Sequence, residues 1–513
     1  MAILKNGVRM MSERNIRNLL NAGRDDAVAI TAPGRPSLTY KALVEHIDKI
    51  GAQLGSQGLT NSDRVAIVLP NGPDMASAFL CVASYMSAAP LNPSYKQAEY
   101  EFYLEDLNPN LLILEENSTN PARDAAMKLS IPIAEIKVSK DGPAGTFSLF
   151  DGYVPIELPT EKVEALVLHT SGTTSRPKLV PLTQSNLVAS ADNIASTLRL
   201  IETDHSLNIM PLFHIHGLVA VLCASMSAGA SVCCTPGFNA LKFFELAVSE
   251  KITWYSGVPT MHQAILLRGK RQAEKAKALN LRFIRSSSAS LPPAVFDELA
   301  ALFVCPVIEA YGMTEATHQM TSNPLPPLIQ KAGFVGLPAG PEVCIMDITG
   351  NQLEKGAEGE VCIKGDNVTP GYEKNPEANA QSFTNGWFRT GDQGMFDNDG
   401  YLKITGRLKE IINRGGEKIS PLEIDNVLME HPAIQQVVSF SVADESYGEE
   451  IGVAVVLGDG EKLSEAELKF YAKDRLARFK IPKHICFIKE IPKGATGKMQ
   501  RIGLAKKLGL EGT

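Results

Sequence analysis

Apolar and polar positions along the first hundred residues predict helices and strands in turn. The segment SLTYKALVEHIDKIGAQLGSQG, residues 37–58, has apolar positions at helical spacing and ends on Gly58. DRVAIVLP, residues 63–70, predicts a short buried strand, and residues 74–93 predict a helix, a turn and a strand. Continuously apolar strands separated by helices are typical of a parallel sheet with both faces covered, so the pattern predicts an α/β fold.

The same order of elements recurs after residue 200. LNIMPLFHIHGLVAVLCASMSAGASVCCTP, residues 207–236, again predicts a strand, a helix, a small-residue turn and a strand, which indicates two sub-lobes of related design. Three further apolar runs each lead into a polar loop, in the segments 252–261, 281–290 and 306–320. Because ligands of open α/β sheets gather beyond the carboxyl ends of strands, we expect these loops to meet at one crevice.

From about Gly333 the pattern changes to short β-like segments separated by Gly, Pro, Asn and Asp turns. A smaller α+β segment of about a hundred residues follows, of the size of a small domain. We therefore predict a large N-terminal domain of parallel-rich sheets with flanking helices and a small β-barrel-like part, over residues 1–406. A domain boundary at 407–410 and a small α+β domain at 411–513 complete the prediction from the pattern.

Composition narrows the classes of partner. The chain has 513 residues, 44% hydrophobic and 21% charged, with a net charge of -7, which gives no electrostatic reason to expect nucleic acid. Eight cysteines without a CxxC pair indicate a reduced compartment and neither disulfides nor zinc. Adjacent Cys233 and Cys234 lie in a strand-like run and are interpreted as small core residues.

Two long uncharged stretches, Met75 to Tyr95 and Gly217 to Ala240, are interrupted by Pro or Gly. They fit a buried helix, a turn and a buried strand better than a membrane span. The N-terminus has charges too early for a signal peptide, and the C-terminus has no peroxisomal tripeptide. The sequence therefore predicts a cytoplasmic protein.

The segment TSGTTSRPK, residues 170–178, combines hydroxyl side chains, a glycine and two cations between a predicted strand and a predicted helix. Such a loop can offer backbone N–H groups, hydroxyls and cations to a polyphosphate. It is not a Walker A loop, because it lacks the second glycine before Lys178 and Leu179 follows that lysine. Taken alone, an ordinary polar surface loop explains it as well.

Six segments together resemble the adenylate-forming superfamily of acyl-CoA synthetases, luciferases and peptide-synthetase adenylation domains. In order along the chain they are TSGTTSRPK (170–178), PLFHIHG (211–217), YGMTE (311–315), WFRTGD (387–392), GRLKEIINRGGEKISP (406–421) and PKGATGKMQR (492–501). The resemblance implies that a carboxylic acid attacks the α-phosphate of ATP and that a thiol then attacks the acyl-adenylate. ATP, Mg²⁺ and coenzyme A are the small molecules it implies, beside the acid.

The resemblance also implies roles for individual residues. The β- and γ-phosphates would lie against Thr170 to Lys178, and Tyr311 would stack on adenine against Ser288-Ala289. Asp392 would accept the ribose hydroxyls, with Arg407 nearby, and Glu315 would hold Mg²⁺. The implied nucleotide-binding set is Thr170, Ser171, Gly172, Thr173, Thr174, Lys178, Ser288, Ala289, Glu309, Ala310, Tyr311, Thr314, Asp392, Arg407 and Lys498. The implied catalytic set is Lys498, Thr314, Glu315 and His214.

The segment 406–416 resembles the family's hinge, and only this resemblance implies that the boundary at 407–410 is a hinge and that the small domain at 411–513 is mobile. Lys409 stands at the pivot position, and Gly415 and Gly416 correspond to backbone that lines the pantetheine tunnel after domain rotation. Lys498 corresponds to the cation that bridges carboxylate and α-phosphate during adenylation. The chain departs from the family at Ser175 and Leu179, where glycine is usual, and Leu179 disfavours a positive φ there.

The loops expected around the acid carry His214, His216, Arg285, Ser288, Ser290 and His318. This polar lining, which can carry positive charge, suits a short acid with a second carboxylate, and the segments closely resemble the oxalyl-CoA synthetase branch of the family. His214, Ser288 and His318 are the residues predicted to hold oxalate. Malonate or another short, medium-chain or aryl acid is the alternative, as is a stand-alone enzyme that loads a carrier protein or a non-catalytic nucleotide-binding homologue. No GGxS carrier segment follows, so coenzyme A is the expected thiol.

Overall fold

The computed structural model describes residues 14–139, 141–170, 177–493 and 499–510. The strands are β1 (Val28–Ala32), β2 (Arg35–Thr39), β3 (Arg64–Ile67), β4 (Ser87–Pro90), β5 (Leu111–Glu115), β6 (Ile133–Val138), β7 (Phe147–Ser148), β8 (Glu164–His169), β9 (Leu179–Thr183), β10 (His205–Asn208), β11 (Ser231–Cys234), β12 (Trp254–Gly257), β13 (Phe283–Ser286), β14 (Val307–Met313), β15 (His318–Ser322), β16 (Leu337–Pro338), β17 (Glu342–Met346), β18 (Gly359–Lys364), β19 (Phe383–Thr384), β20 (Trp387–Phe396), β21 (Leu402–Arg407), β22 (Ile412–Arg414), β23 (Glu417–Ile419), β24 (Ile434–Asp444), β25 (Gly448–Leu457) and β26 (His484–Phe487).

The helices are α1 (Ile16–Leu19), α2 (Tyr40–Gly55), α3 (Pro73–Ala83), α4 (Gln97–Leu107), α5 (Ala122–Lys128), α6 (Gln184–Thr197), α7 (Ala224–Ser227), α8 (Phe243–Ser249), α9 (Pro259–Lys270), α10 (Ala273–Ala278), α11 (Pro293–Phe303), α12 (Pro376–Ser382), α13 (Pro421–Met429), α14 (Glu465–Lys473) and α15 (Leu504–Lys507). A π-helical segment, His216–Cys223, continues into α7. Short 3₁₀ turns cover Leu20–Ala22, Thr314–Ala316 and Arg478–Lys480.

Two large sheets form the N-terminal part. The first has the order β7-β6-β5-β3-β4-β8-β9, parallel from β6 to β8 with antiparallel edge strands. The second has the order β16-β15-β14-β13-β12-β10-β11-β1-β2, parallel from β14 to β1. Helix α3 contacts strands of both sheets, and its residues Met75–Ala83 are buried on every side. This position explains why the segment carries no charge after its first turn.

Two smaller sheets follow. Strands β17-β18-β20-β19, with β21 beside β20, form an antiparallel sheet that corresponds to the part predicted as barrel-like. Beyond the segment 408–411, β23-β22-β25-β24 with β26 form the C-terminal sheet. Ile424 and Leu428 of α13 and Leu468 of α14 are buried against it, which gives the C-terminal part its own core. The predicted fold class, a parallel-rich α/β domain followed by a smaller α+β domain, is confirmed.

The two uncharged stretches fold as the pattern predicts, with helix, turn and strand in both. No helix within the described ranges combines the length and apolarity that crossing a membrane requires. Cys233 and Cys234 are buried in β11, and all eight cysteines are free thiols. Leu179 begins β9 opposite His169 of β8, so the chain leaves Lys178 in extended conformation and needs no glycine there.

Candidate active site

A cavity of about 670 Å³ lies beyond the carboxyl ends of β12, β13 and β14, where they face β20, β21 and the C-terminal part. Most predicted site residues that the structure describes line it. They are Thr170, Lys178, His214, Ser288, Ala289, Glu309, Ala310, Tyr311, Thr314, Glu315, His318, Asp392, Arg407 and Lys409. Ser171, Gly172, Thr173, Thr174 and Lys498 lie outside the described residues. The polar loops therefore meet at one crevice, as the order of elements predicts.

Asp392 is held between two donors. It is buried on β20 opposite Arg407 of β21, and Arg407 Nε donates to its Oδ1 at 2.7 Å. The Tyr311 hydroxyl donates to Oδ2 at 2.5 Å. The Asp392 charge raises the pKa of Arg407, while burial raises that of Tyr311. A carboxylate fixed in this way keeps oxygen lone pairs for hydroxyl donors in the cavity.

Glu309 is a buried carboxyl group with one satisfied oxygen. Its Oε1 accepts the Leu291 N–H at 2.9 Å, and among the described residues no group donates to Oε2. Burial raises the pKa of Glu309 to about 8. The folded chain therefore retains a proton that an unfolded chain releases near pH 4.5. The contribution of this proton to the free energy of unfolding is fully present below pH 4.5 and is lost as the pH rises from there through about 8.

We expect Glu309→Gln to flatten this pH dependence, because glutamine keeps the acceptor for Leu291 without a titrating proton. From pH 6 to pH 9 the melting temperature of the variant should rise relative to that of the unmodified chain. Thermal unfolding at unit pH intervals measures the difference, with Glu354→Gln at an exposed position as control. If the melting temperatures of the variant and the unmodified chain change in parallel across this pH range, the raised pKa of Glu309 is contradicted.

Sequence reasoning missed Tyr372, which connects two predicted phosphate-site residues. Its hydroxyl donates to Glu315 Oε1 at 2.7 Å, and Lys178 Nζ lies 4.2 Å from the centre of its ring. Burial raises the pKa of Glu315 and lowers that of Lys178, the latter also because Lys409 adds a like charge. The string GYEKNPE, 371–377, predicts only a turn, so the sequence carried no signal that singled out Tyr372.

The two ends of the 170–178 segment are joined at its base. The Thr170 N–H donates to the Lys178 carbonyl at 2.9 Å, and the Lys178 N–H donates to Thr170 Oγ1 at 3.2 Å. Thr170 and Lys178 thus close the loop like the base of a hairpin, next to the β8–β9 pair. The described part of the predicted phosphate loop is consequently fixed in position at the cavity.

The residues of the predicted acid pocket lie in the cavity wall. His214, Ser288 and His318 line it, and both Ser288 (φ 74°) and His318 (φ 96°) adopt left-handed backbone conformations. Strained backbone of this kind concentrates at functional sites. Gly312 is required here, since an added Cβ would lie 1.7 Å from the His318 carbonyl oxygen. Arg285, expected in the lining, instead lies fully buried behind the wall beside Ser256.

The predicted hinge runs along the cavity edge. The Leu408 N–H donates to the Gly391 carbonyl at 2.9 Å, and the Glu410 N–H to the Arg407 carbonyl at 2.8 Å. Met499 and Arg501 of the C-terminal part line the cavity, and Arg501 Nε donates to Glu410 Oε2 at 3.0 Å. Gly415 and Gly416 are exposed and do not line the cavity in this arrangement.

Comparison with known proteins identifies the family. The profile of AMP-binding enzymes matches residues 20–373, and that of the AMP-binding enzyme C-terminal domain matches residues 423–498. The chain belongs to the AMP-binding enzyme family. It is 45% identical over 486 residues to an oxalate–CoA ligase of Arabidopsis thaliana, covering 93% of this chain and 94% of that protein. It is 40% identical over 517 residues to an oxalate–CoA ligase of Saccharomyces cerevisiae, covering 94% of each.

A solved structure shares the fold over nearly the whole chain. ATP-bound MatB from Rhodopseudomonas palustris superposes with a TM-score of 0.88 at 27% identity, covering 96% of this chain and 99% of that chain. Together with the relatives, this confirms an adenylate-forming acid–CoA ligase that acts on a small carboxylic acid, ATP and coenzyme A.

Proposed function

We propose that this AMP-binding enzyme converts oxalate, ATP and coenzyme A to oxalyl-CoA, AMP and diphosphate. The observation that carries the choice of acid is the meeting of His214, Ser288 and His318 in the wall of the cavity that also contains the nucleotide residues. The names of the relatives in Arabidopsis thaliana and Saccharomyces cerevisiae support it. Residues 1–406 form the proposed adenylation domain, 407–410 the hinge and 411–513 the rotating domain.

In the first half-reaction one oxalate carboxylate attacks the α-phosphate of ATP, and diphosphate leaves. Asp392 accepts the ribose hydroxyls, Tyr311 stacks on adenine, and Glu309 and Ala310 border the base, with Thr314 at the α-phosphate. Lys178 and Lys409 both border the cavity and raise the positive potential for a polyanion. Lys498 then neutralises the charge that develops between the attacking carboxylate and the α-phosphate.

Glu315 is the proposed Mg²⁺ ligand. Its carboxylate is a hard oxygen donor on the cavity wall, and burial raises its pKa, which a bound cation would oppose. When bound, Mg²⁺ would offset part of the charge on the phosphate oxygens. Tyr372 fixes the carboxylate in place through its hydroxyl and keeps Lys178 nearby through its ring.

We expect Tyr372→Phe to raise the KM for Mg·ATP by about fivefold to tenfold, because one hydrogen bond to a charged group is lost. The ring stays, so the Lys178 contact is preserved and the KM for oxalate should change little. Initial rates at varied Mg·ATP measure the effect. Tyr401→Phe is the matched control, since its hydroxyl donates to the Ile329 carbonyl away from the cavity. An unchanged KM for Mg·ATP contradicts the role of Tyr372.

The acid subsite explains the preference for a dicarboxylate. The second carboxylate of oxalate enters a partly enclosed wall beside ATP phosphates, where an unpaired anion costs several kcal/mol or more. His318 is the most discriminating residue, because its left-handed backbone positions a polar ring in the wall. Monocarboxylates with alkyl or aryl groups would leave these polar groups without partners.

Substituting alanine for His318 is therefore expected to raise the KM for oxalate by about tenfold or more, with the KM for ATP nearly unchanged. Steady-state AMP release at varied oxalate provides the measurement, and His431→Ala, at a partly exposed position of the C-terminal part that does not line the cavity, is the control. If oxalate KM stays at the value of the unmodified enzyme, His318 is not part of the acid subsite.

The alternatives are separable by activity. CoA-dependent AMP release across oxalate, malonate, acetate, octanoate and coumarate should give the highest kcat/KM for oxalate. A higher kcat/KM for malonate or another acid would identify that acid as the substrate. Thioester formation on a carrier protein in place of coenzyme A would indicate a loading enzyme. The cytoplasmic location stays a prediction from the sequence.

A further inference from the structure

Arg285 is a buried cation without an anionic partner. It lies on β13 in register with Ser256 of β12, and its side chain is fully inaccessible. Within the described ranges no carboxylate pairs with it; Nη1 donates to Ser256 Oγ at 3.4 Å and Nη2 to Gln319 Oε1 at 3.2 Å, while Nε has no acceptor. Burial lowers the pKa of Arg285 to about 9, so the group stays charged at neutral pH. An isolated buried charge is costly and calls for a compensating anion.

A chain of hydrogen bonds leads from Arg285 to the cavity. Ser256 Oγ lies 2.7 Å from His216 Nε2, and His216 Nδ1 lies 3.0 Å from Ser288 Oγ. Ser256 and His216 are fully buried behind the wall, whereas Ser288 lines the cavity. The four side chains therefore form one path from the guanidinium to the acid pocket.

One assignment of protons directs every donor in this path towards the cavity. A guanidinium only donates, so Ser256 Oγ accepts from Arg285 and directs its own proton to His216 Nε2. A doubly protonated ring would add a second cation in the same buried space, so the ring is assigned as neutral. With Nε2 accepting from Ser256, the proton of the neutral ring is on Nδ1, which donates to Ser288 Oγ. The Ser288 proton is then left for an acceptor in the cavity, and a carboxylate oxygen is the acceptor that a nearby cation favours.

We propose that Arg285 is a specificity-determining positioning residue, which acts through Ser256 and His216 to fix the Ser288 hydroxyl as a donor to the second carboxylate of the acid. Its buried charge also compensates that carboxylate, so that a dianionic acid is preferred over a monoanion of the same size. The proposal rests on the proposed function in taking the acid to be a dicarboxylate.

A double-mutant cycle tests the path. Ser256→Ala leaves the cavity wall intact but removes the link between Arg285 and His216, and we expect it to raise the KM for oxalate by about tenfold without changing the KM for ATP. In a Ser288→Ala background the same change should have almost no effect, because its only route to the acid is gone. Effects that multiply in the double variant overturn the proposal. Ser225→Ala, at a buried serine of α7, is the control.

A second variant separates positioning from folding. In Arg285→Met the buried charge is replaced by an unbranched apolar chain, a change that often leaves stability equal or higher. We expect the preference for oxalate over glyoxylate, which has an aldehyde in place of one carboxylate, to fall at least tenfold while the melting temperature is maintained. A preserved preference overturns the proposal. If turnover is too low, calorimetric binding of oxalate with α,β-methylene-ATP supplies the same comparison.

Measuring kcat/KM for the panel of acids with the unmodified enzyme distinguishes a failure of the proposed function from a failure of the hydrogen-bonded path. If a different dicarboxylate is preferred, the cycle is measured with that acid, and coupling between Ser256 and Ser288 supports the hydrogen-bonded path although oxalate is wrong. If oxalate is preferred and the two serines are independent, the path is overturned and the proposed function stands.

Discussion

Replacing Lys498 with alanine is expected to lower the rate of adenylate formation by about a hundredfold to a thousandfold, the scale of losing one electrostatic group at a developing charge. Oxalate and ATP are both anions, so the attack requires a cation between them. Although Lys498 lies outside the described residues, its neighbour Met499 lines the cavity. The conversion of a preformed oxalyl-adenylate to the thioester should proceed at nearly the original rate, because a thiol attacks the acyl carbon in that step and no carboxylate anion has to approach a polyphosphate.

Two assays measure these steps separately. ATP–pyrophosphate exchange with oxalate reports adenylation, and thioester formation from added oxalyl-adenylate and coenzyme A reports the second step. Lys462→Ala, at an exposed lysine of the same domain, controls for general effects of charge removal. Equal losses in both assays for Lys498→Ala would show that the lysine does not act in adenylation alone.

Lys409→Pro is expected to produce the opposite pattern, with thioester formation reduced by about a hundredfold and adenylation retained within severalfold. Proline fixes φ at the pivot and so opposes the backbone rotation that would bring Gly415 and Gly416 to the cavity. In the described arrangement these glycines are exposed, while Met499 and Arg501 line the cavity, which fits the adenylation step. The Lys409 N–H donates no hydrogen bond to the described residues, so proline removes none.

The control for this variant is Lys409→Ala, which removes the same side chain but leaves the backbone free to rotate. It should affect the thioester step far less than proline does. Rapid-quench measurements of the two half-reactions give the rates directly. Similar losses in both steps for Lys409→Pro would contradict a hinge that separates them.

The fold was predictable from the sequence where the local pattern of apolar residues matches the burial of the element. Helix α3 and strand β4 follow from an uncharged run with small residues at the turn, because a segment packed between two sheets excludes charge on all faces. The convergence of the loops after β12, β13 and β14 follows from the rule for parallel sheets. The pairing partners of these strands depend on contacts distant in sequence, which no local period encodes.

The sequence motifs predicted which side chains meet at the cavity, but not which residues hold those side chains in position. Tyr311, Asp392 and Arg407 were expected together and are in direct contact. Tyr372 was missed because its importance comes from contacts with both Glu315 and Lys178, which are distant in sequence and adjacent only in the folded chain. Arg285 was expected in the lining, yet its register beside Ser256 places it behind the wall.

The central claim, an acid–CoA ligase selective for oxalate, is tested most directly by competition. The enzyme is supplied with limiting ATP, coenzyme A and an equimolar mixture of oxalate, malonate, acetate, octanoate and coumarate. Mass spectrometry of the CoA thioesters then gives the ratio of their kcat/KM values in one experiment. The account predicts oxalyl-CoA as the dominant product by at least tenfold. A mixture dominated by malonyl-CoA or by any other thioester would contradict it.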